Sequence, residues 1–164
     1  MIRNSLVPFV RKLNSDNDLF IFFLLDKALY GITKDVVYVC AHVMPQVSLY
    51  YNVFEVESGI ELLEECWSDI SLSLDDVYVI LCGDLNERTS NRFPDTSSII
   101  NFQHTPYTHV ETEPISRRSE DKTLNSYGKQ LLNMCVALDL WIMNGVCNGD
   151  PQGRYTYISD TVSV

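Results

Sequence analysis

Between residues 36 and 82 the hydrophobic period of this chain changes twice, and no other feature of the sequence constrains the fold as strongly. Val36 to Val43 reads as a strand, and its continuous, β-branched apolar run Val36–Ala41 is of the kind expected where both faces are covered. Pro45 ends its regular pairing. From Ser58 onward, Ile60, Leu63, Trp67 and Ile70 recur at three- and four-residue steps, which puts them on one stripe of a helix over about 58–72. Ser58 and Glu61 stand at capping-box spacing at its start. Val77-Tyr78-Val79-Ile80-Leu81-Cys82 then returns to a strand and runs straight into Gly83-Asp84-Leu85-Asn86. Strands and an amphipathic helix in this order bury their apolar faces against each other, so the chain folds in layers, as an α/β or α+β domain.

The flanking segments extend this pattern. Leu19 to Leu25, preceded by the turn-forming run Asn14-Ser15-Asp16-Asn17-Asp18, predicts a strand. Asn125 is placed to cap a second helix over about 125–139, with Tyr127, Leu131, Met134, Cys135 and Leu138 as its buried stripe. Trp141-Ile142-Met143 and Arg154-Tyr155-Thr156-Tyr157-Ile158 predict two short strands around the Gly149–Gly153 turn. Residues 87–124 form a long polar stretch of weak periodicity, a length that in compact domains is functional or disordered. With 164 residues and 46% hydrophobic content, the expectation is one domain with one core.

Charge and cysteine usage narrow the function classes. A net charge of −10 argues against strong nonspecific nucleic-acid binding, which rests on Lys and Arg displacing counterions. The distribution is uneven, because no basic residue lies between Lys34 and Arg88, whereas Arg88, Arg92, Arg117, Arg118 and Lys122 follow closely. The five cysteines have no metal-ligand spacing and predict reduced, buried thiols. The longest apolar run, Leu19–Leu25, is far short of the roughly 20 residues of a membrane helix. The N-terminus has no signal-peptide pattern, so an intracellular protein, nuclear or cytoplasmic and not secreted, is expected.

The junction after Cys82 carries the chemistry. A strand that delivers an Asp and an Asn two residues apart, just past a Gly, can present both side chains at the end of a sheet. The carboxylate can orient an attacking water or hold a hard divalent cation, and the amide can donate to a phosphate oxygen. The same four residues also suit an ordinary turn.

The order of the surrounding segments resembles the endonuclease/exonuclease/phosphatase superfamily, and within it the retrotransposon endonucleases associated with reverse transcriptase. Gly83-Asp84-Leu85-Asn86-Glu87-Arg88 is similar to that family's Gly-Asp-Phe/Leu-Asn-Ala-Arg motif. His42-Val43-Met44-Pro45 followed by Ser48-Leu49-Tyr50-Tyr51 is similar to its Tyr-Ile-Pro-Pro and Ser-x-Tyr-Tyr segments. Arg118-Ser119-Glu120-Asp121, Asn125-Ser126-Tyr127-Gly128, Asn144-Gly145 and Gly149-Asp150 with Gly153-Arg154-Tyr155-Thr156 follow in the family's order. The resemblance implies an α+β fold, a layered α/β sandwich, here incomplete. It also implies a Mg²⁺-dependent phosphodiesterase acting on DNA, with no small-molecule cofactor and no membrane partner. Asp84 would hold the metal or the nucleophilic water, Asn86 would hydrogen-bond the scissile phosphate, and Arg88, Arg117, Arg118 and Thr156 would contact nucleic acid.

The departures from the pattern are specific. The family's Tyr is His42 here, expected as a tolerated substitution or a core histidine, and its first Pro is Met44. The family's metal-binding Glu and its closing Asp-His pair have no counterpart, which leads to the expectation of a domain truncated at both ends and inactive alone. The alternatives are a domesticated nucleic-acid- or protein-binding module on the same fold, or a phosphatase-type member of the superfamily.

Overall fold

A computed structural model of the chain describes residues 3–13, 18–45, 48–54, 56–92, 117–146 and 149–154. The chain divides into two compact units, Met1–Asn86 and Glu87–Val164.

The first unit is built on a mixed sheet of four strands, β1 (Val10–Leu13), β2 (Phe20–Leu25), β3 (Val36–His42) and β4 (Tyr78–Asp84), in that spatial order. β1 and β2 pair antiparallel, as do β2 and β3, with Phe22 opposite Val39. β3 and β4 are parallel, with Val36 opposite Tyr78 and His42 opposite Asp84. Parallel neighbours need a crossover rather than a hairpin. The chain between them provides one with a short helix α1 (Tyr51–Phe54) and the longer α2 (Gly59–Ser71).

α2 starts where the sequence places it. The Ser58 hydroxyl accepts from the Glu61 N–H at 3.1 Å, and the Glu61 carboxylate accepts from the Glu57 N–H at 2.7 Å. That second bond falls one residue before the cap, so Glu61 reaches further back than a strict capping box requires. A Cβ on Gly59 would lie 2.7 Å from both the Tyr51 hydroxyl and Val43, so the absence of a side chain lets the first turn of α2 settle against the end of β3.

Alternate residues of the sheet, Phe20 and Phe22 with Val37, Val39 and Ala41, are buried, and Val43 follows them. Ile60, Leu62, Leu63 and Ile70 of α2 are buried as well, whereas Trp67, expected on the same stripe, is only half-buried. Each fully buried aliphatic or Phe side chain contributes about 1.5–3 kcal/mol, so this one face supplies most of the unit's cohesion.

The opposite face corrects the expectation of a strand covered on both sides. Ile21, Tyr78 and Ile80 are 40%, 44% and 41% exposed, and Cys40, His42, Cys82 and Asp84 are exposed beside them. The continuous apolar run of β3 hides an ordinary inside–outside alternation, because Tyr38 and Cys40 are apolar in composition yet lie on the open side.

In the second unit, α3 (Ser126–Ala137) begins at Asn125, whose side-chain oxygen accepts from the Gly128 N–H at 2.6 Å, as the sequence predicts. Tyr127, Leu131, Met134 and Cys135 are buried, and Leu138 is half-buried. Trp141–Met143, expected as a strand, has no regular structure. Asp139 leaves the helix with φ 51°, and the Leu140 N–H bonds back to the Cys135 carbonyl at 2.8 Å, so the chain wraps the helix end instead of entering a ladder. Of the expected strand 154–158, Arg154 is irregular and the rest lies outside the described residues, as does most of the polar stretch 87–124. Its described ends are bridged by Thr89 and Leu124. Among the described residues no helix is long and apolar enough to cross a membrane.

Candidate functional site

The parallel pairing of β3 and β4 brings the C-terminal ends of both strands to one edge of the sheet. Gly83 has φ 127°, and a Cβ there would sit 1.9 Å from the Ala41 carbonyl oxygen, so only glycine lets the two backbones come this close. One residue on, Asp84 ends β4 opposite His42, and its carbonyl accepts from the Val43 N–H at 2.8 Å. Both Asp84 and His42 are exposed on the open face of the sheet. His42 is therefore not a core histidine, one of the two readings expected for it.

The turn beyond Asp84 is held by its own polar groups. An Asp84 carboxylate oxygen accepts from the Asn86 N–H at 3.1 Å, the bond of an Asx turn. Asn86 itself takes a left-handed conformation, φ 49°, and its side-chain amide donates to the Val43 carbonyl at 2.7 Å. The two side chains are not presented alike: Asp84 keeps a carboxylate oxygen outside the turn, whereas Asn86 spends one of its two amide N–H groups fastening the turn to β3. What remains for a ligand is a carboxylate, one amide N–H with its carbonyl, and the His42 imidazole next door. The carboxylate and the amide carbonyl are hard oxygen donors of the kind Mg²⁺ takes, whereas the imidazole is a nitrogen donor. Any ion held there would draw the rest of its shell from water and other ligands. Among the described residues no three His, Cys, Asp or Glu side chains form a metal-holding group.

Glu87 carries a signal the sequence does not announce. The residue is half-buried, but both carboxylate oxygens are covered and have no hydrogen-bond partner among the described residues. Burial pushes its pKa from the ordinary 4.5 to about 7.

The basic residues divide into those turned inward and those left outside. Arg117 is 8% exposed. Its guanidinium donates to the Asn144 carbonyl at 2.9 Å and side-chain oxygen at 3.1 Å, to the Thr89 hydroxyl at 3.0 Å, and to the Ser90 and Arg92 carbonyls at 2.7 and 3.1 Å. All these acceptors are neutral, and burial lowers the Arg117 pKa. The nearest carboxylate in this network is one link away, since the Asn144 amide donates to Asp150 at 3.0 Å. Arg117 thus directs its fork into the protein rather than toward a phosphate. Arg88 is half-exposed and paired with Asp121 at 2.7 Å, Arg118 is exposed, and Thr156 lies outside the described residues.

The motifs downstream also have a structural use. The Arg88 N–H donates to the Asn125 side chain at 3.3 Å, the Asn125 N–H donates to the Arg88 carbonyl at 3.1 Å, and a Cβ on Gly128 would lie 2.1 Å from that same carbonyl oxygen. Likewise the Arg118 carbonyl oxygen is flanked by Gly145 and Gly153, where added Cβ atoms would fall 1.7 and 2.1 Å away. Spacing alone does not reveal such contacts, because they join segments about 30 residues apart. In comparisons with known proteins, no family model matches the chain, and neither a curated protein nor a solved structure matches it.

Proposed function

We propose that this chain is built on the endonuclease/exonuclease/phosphatase plan, as a metal-dependent DNA phosphodiesterase domain of the retrotransposon kind, and that by itself it does not cleave DNA. The observation that supports this most is the placement of Asp84. It stands exposed at the C-terminal end of a parallel strand pair, past a glycine no other residue can replace, with Asn86 and His42 beside it. Ends of parallel strands are where α/β sheets commonly collect ligands. Bound there, Mg²⁺ would polarise a phosphate oxygen or lower the pKa of a water, and Asp84 would be its protein carboxylate. A single carboxylate is a weak holder of Mg²⁺, which is why the chain alone is expected to be inactive.

Two measurements on the purified chain test the reading. Mn²⁺ binding, followed by water proton relaxation, is expected to be weak and to disappear in Asp84→Ala. Supercoiled plasmid incubated with Mg²⁺ or Mn²⁺ is expected to remain supercoiled with both proteins. Mn²⁺ binding that survives Asp84→Ala would remove the metal role of Asp84. Nicking that the variant lacks would show a competent active site and overturn the inactivity.

A further inference from the structure

The open face of the sheet carries two cysteines in a relation that neither the motif reading nor the proposed chemistry uses. Cys40 on β3 and Cys82 on β4 are directly opposite in the parallel register, and their sulfurs are 3.8 Å apart. Both residues are exposed, whereas Cys66 is half-buried and Cys135 buried. The expectation of uniformly buried thiols fails at this pair. Ile21 lies opposite Cys40 on the other side, and Tyr38 and Ile80 form the next rung, so the thiols sit in a shallow apolar surface open to small molecules.

We propose that Cys40 and Cys82 form a reversible dithiol–disulfide pair, oxidised by glutathione disulfide to a bond that links β3 to β4. Neighbouring strands run about 4.8 Å apart, inside the span a disulfide bridges. The sulfurs must close from 3.8 Å to about 2.05 Å, which side-chain rotation and a small approach of the strands provide. The bond would lie on the exposed face of the sheet, within reach of a reducing thiol, which makes it reversible rather than structural. The Cys82 thiol points at the Val39 carbonyl, 3.5 Å away, which leaves Cys40 the freer of the two to attack first.

The Cys40 thiolate displaces one glutathione thiolate from glutathione disulfide and forms a mixed disulfide. The Cys82 thiolate then attacks the Cys40 sulfur and releases the second glutathione. Two thiols are oxidised, one glutathione disulfide is reduced to two glutathiones, and the two protons lost by the cysteines are taken up by the two leaving thiolates. This inference does not depend on the phosphodiesterase reading.

The test equilibrates the whole chain in glutathione buffers of rising oxidised fraction, quenches with iodoacetamide and measures intact mass. Peptides are made with chymotrypsin, because no Lys or Arg lies between Lys34 and Arg88, whereas Tyr50, Tyr51 and Trp67 separate the three cysteines of that stretch. The expected result is the intact mass of one chain, with no covalent link between chains, that loses two alkylatable thiols together, with a linked Cys40–Cys82 peptide that dithiothreitol releases. In Cys82→Ser the reaction stops at Cys40 as the mixed disulfide with glutathione. Phenylarsine oxide, which needs two neighbouring thiols, protects the same pair in the native chain, a readout that stands even if the variant fails to fold. Cys40 and Cys82 still alkylated in oxidising buffer, a link to Cys66 instead, disulfides only between chains, or no arsenical protection would each overturn the proposal.

Discussion

Replacing Gly83 by alanine should unfold the first unit far more readily than the same change at Gly31, although both glycines have positive φ, 127° and 64°. At Gly31 an added Cβ meets nothing within 4 Å, so the cost is conformational only, about 1–2 kcal/mol for an L-residue in the left-handed region. At Gly83 the Cβ would be 1.9 Å from the Ala41 carbonyl oxygen. The strained dihedral costs about 1–3 kcal/mol. Relieving the overlap means parting β3 from β4 at this end, which gives up the Val43–Asp84 bond and its neighbour, each worth about 1 kcal/mol net. The total, about 3–5 kcal/mol, is a large share of the roughly 5–15 kcal/mol that holds a domain folded. The assay is urea unfolding followed by Trp67 fluorescence in a Trp141→Phe background, which leaves the reporter in the first unit. With slopes of about 1–3 kcal/mol per molar urea, mid-range values put the Gly83→Ala midpoint about 1 M below that of Gly31→Ala. Equal midpoints for the two variants would refute the close-approach argument.

Arg117→Lys should cost about 2–4 kcal/mol, because an ammonium cannot reproduce a fork that meets five acceptors, and carbonyls at Ser90, Arg92 and Asn144 lose donors; thermal melting of the second unit by Trp141 fluorescence measures it, and an unchanged melt would refute the clamp. Glu87 makes stability depend on pH: its folded pKa is raised, so its contribution is fully present below about 4.5 and is lost as pH rises through about 7. Since the residue is only half-buried, solvent screening reduces the effect to about 1–2 kcal/mol, and Glu87→Gln should flatten the denaturation midpoint between pH 4.5 and 8. The open apolar face should make the chain self-associate, and Ile21→Lys with Ile80→Lys should shift sedimentation toward monomer without lowering helix content; a sharply monomeric native chain would contradict this.

What the sequence discloses is the part governed by local period. The three long strands and both long helices lie where apolar spacing puts them, and the Ser58 and Asn125 caps are found as expected, because these features are decided within a few residues. β1 escapes notice because four residues carry too little pattern. Trp141–Met143 misleads because its apolar content says nothing of whether a partner strand is available. At the candidate site the sequence points to Asp84 and Asn86 but not to the bond that turns the Asn86 amide onto Val43, nor to His42 beside Asp84, since both depend on the register of strands 40 residues apart. The inward aim of Arg117 is hidden for the same reason: an arginine in a polar stretch looks the same whether it meets phosphate or carbonyls.

The carbonyl of Arg118, held between Gly145 and Gly153, has a kinetic meaning. Arg118 also donates its N–H to the Gly145 carbonyl, and the Glu120 N–H bonds to the Gly153 carbonyl, so three segments without regular structure close on one short stretch of backbone. None of these contacts can form until loops of about 27 and 35 residues have closed, and closure entropy grows only with the logarithm of length while remaining unfavourable throughout. Until then neither glycine has a neighbour that requires it. The second unit should therefore consolidate late and all at once around Arg118, and alanine at Gly145 or Gly153 should mainly speed unfolding while leaving the rate of α3 formation unchanged.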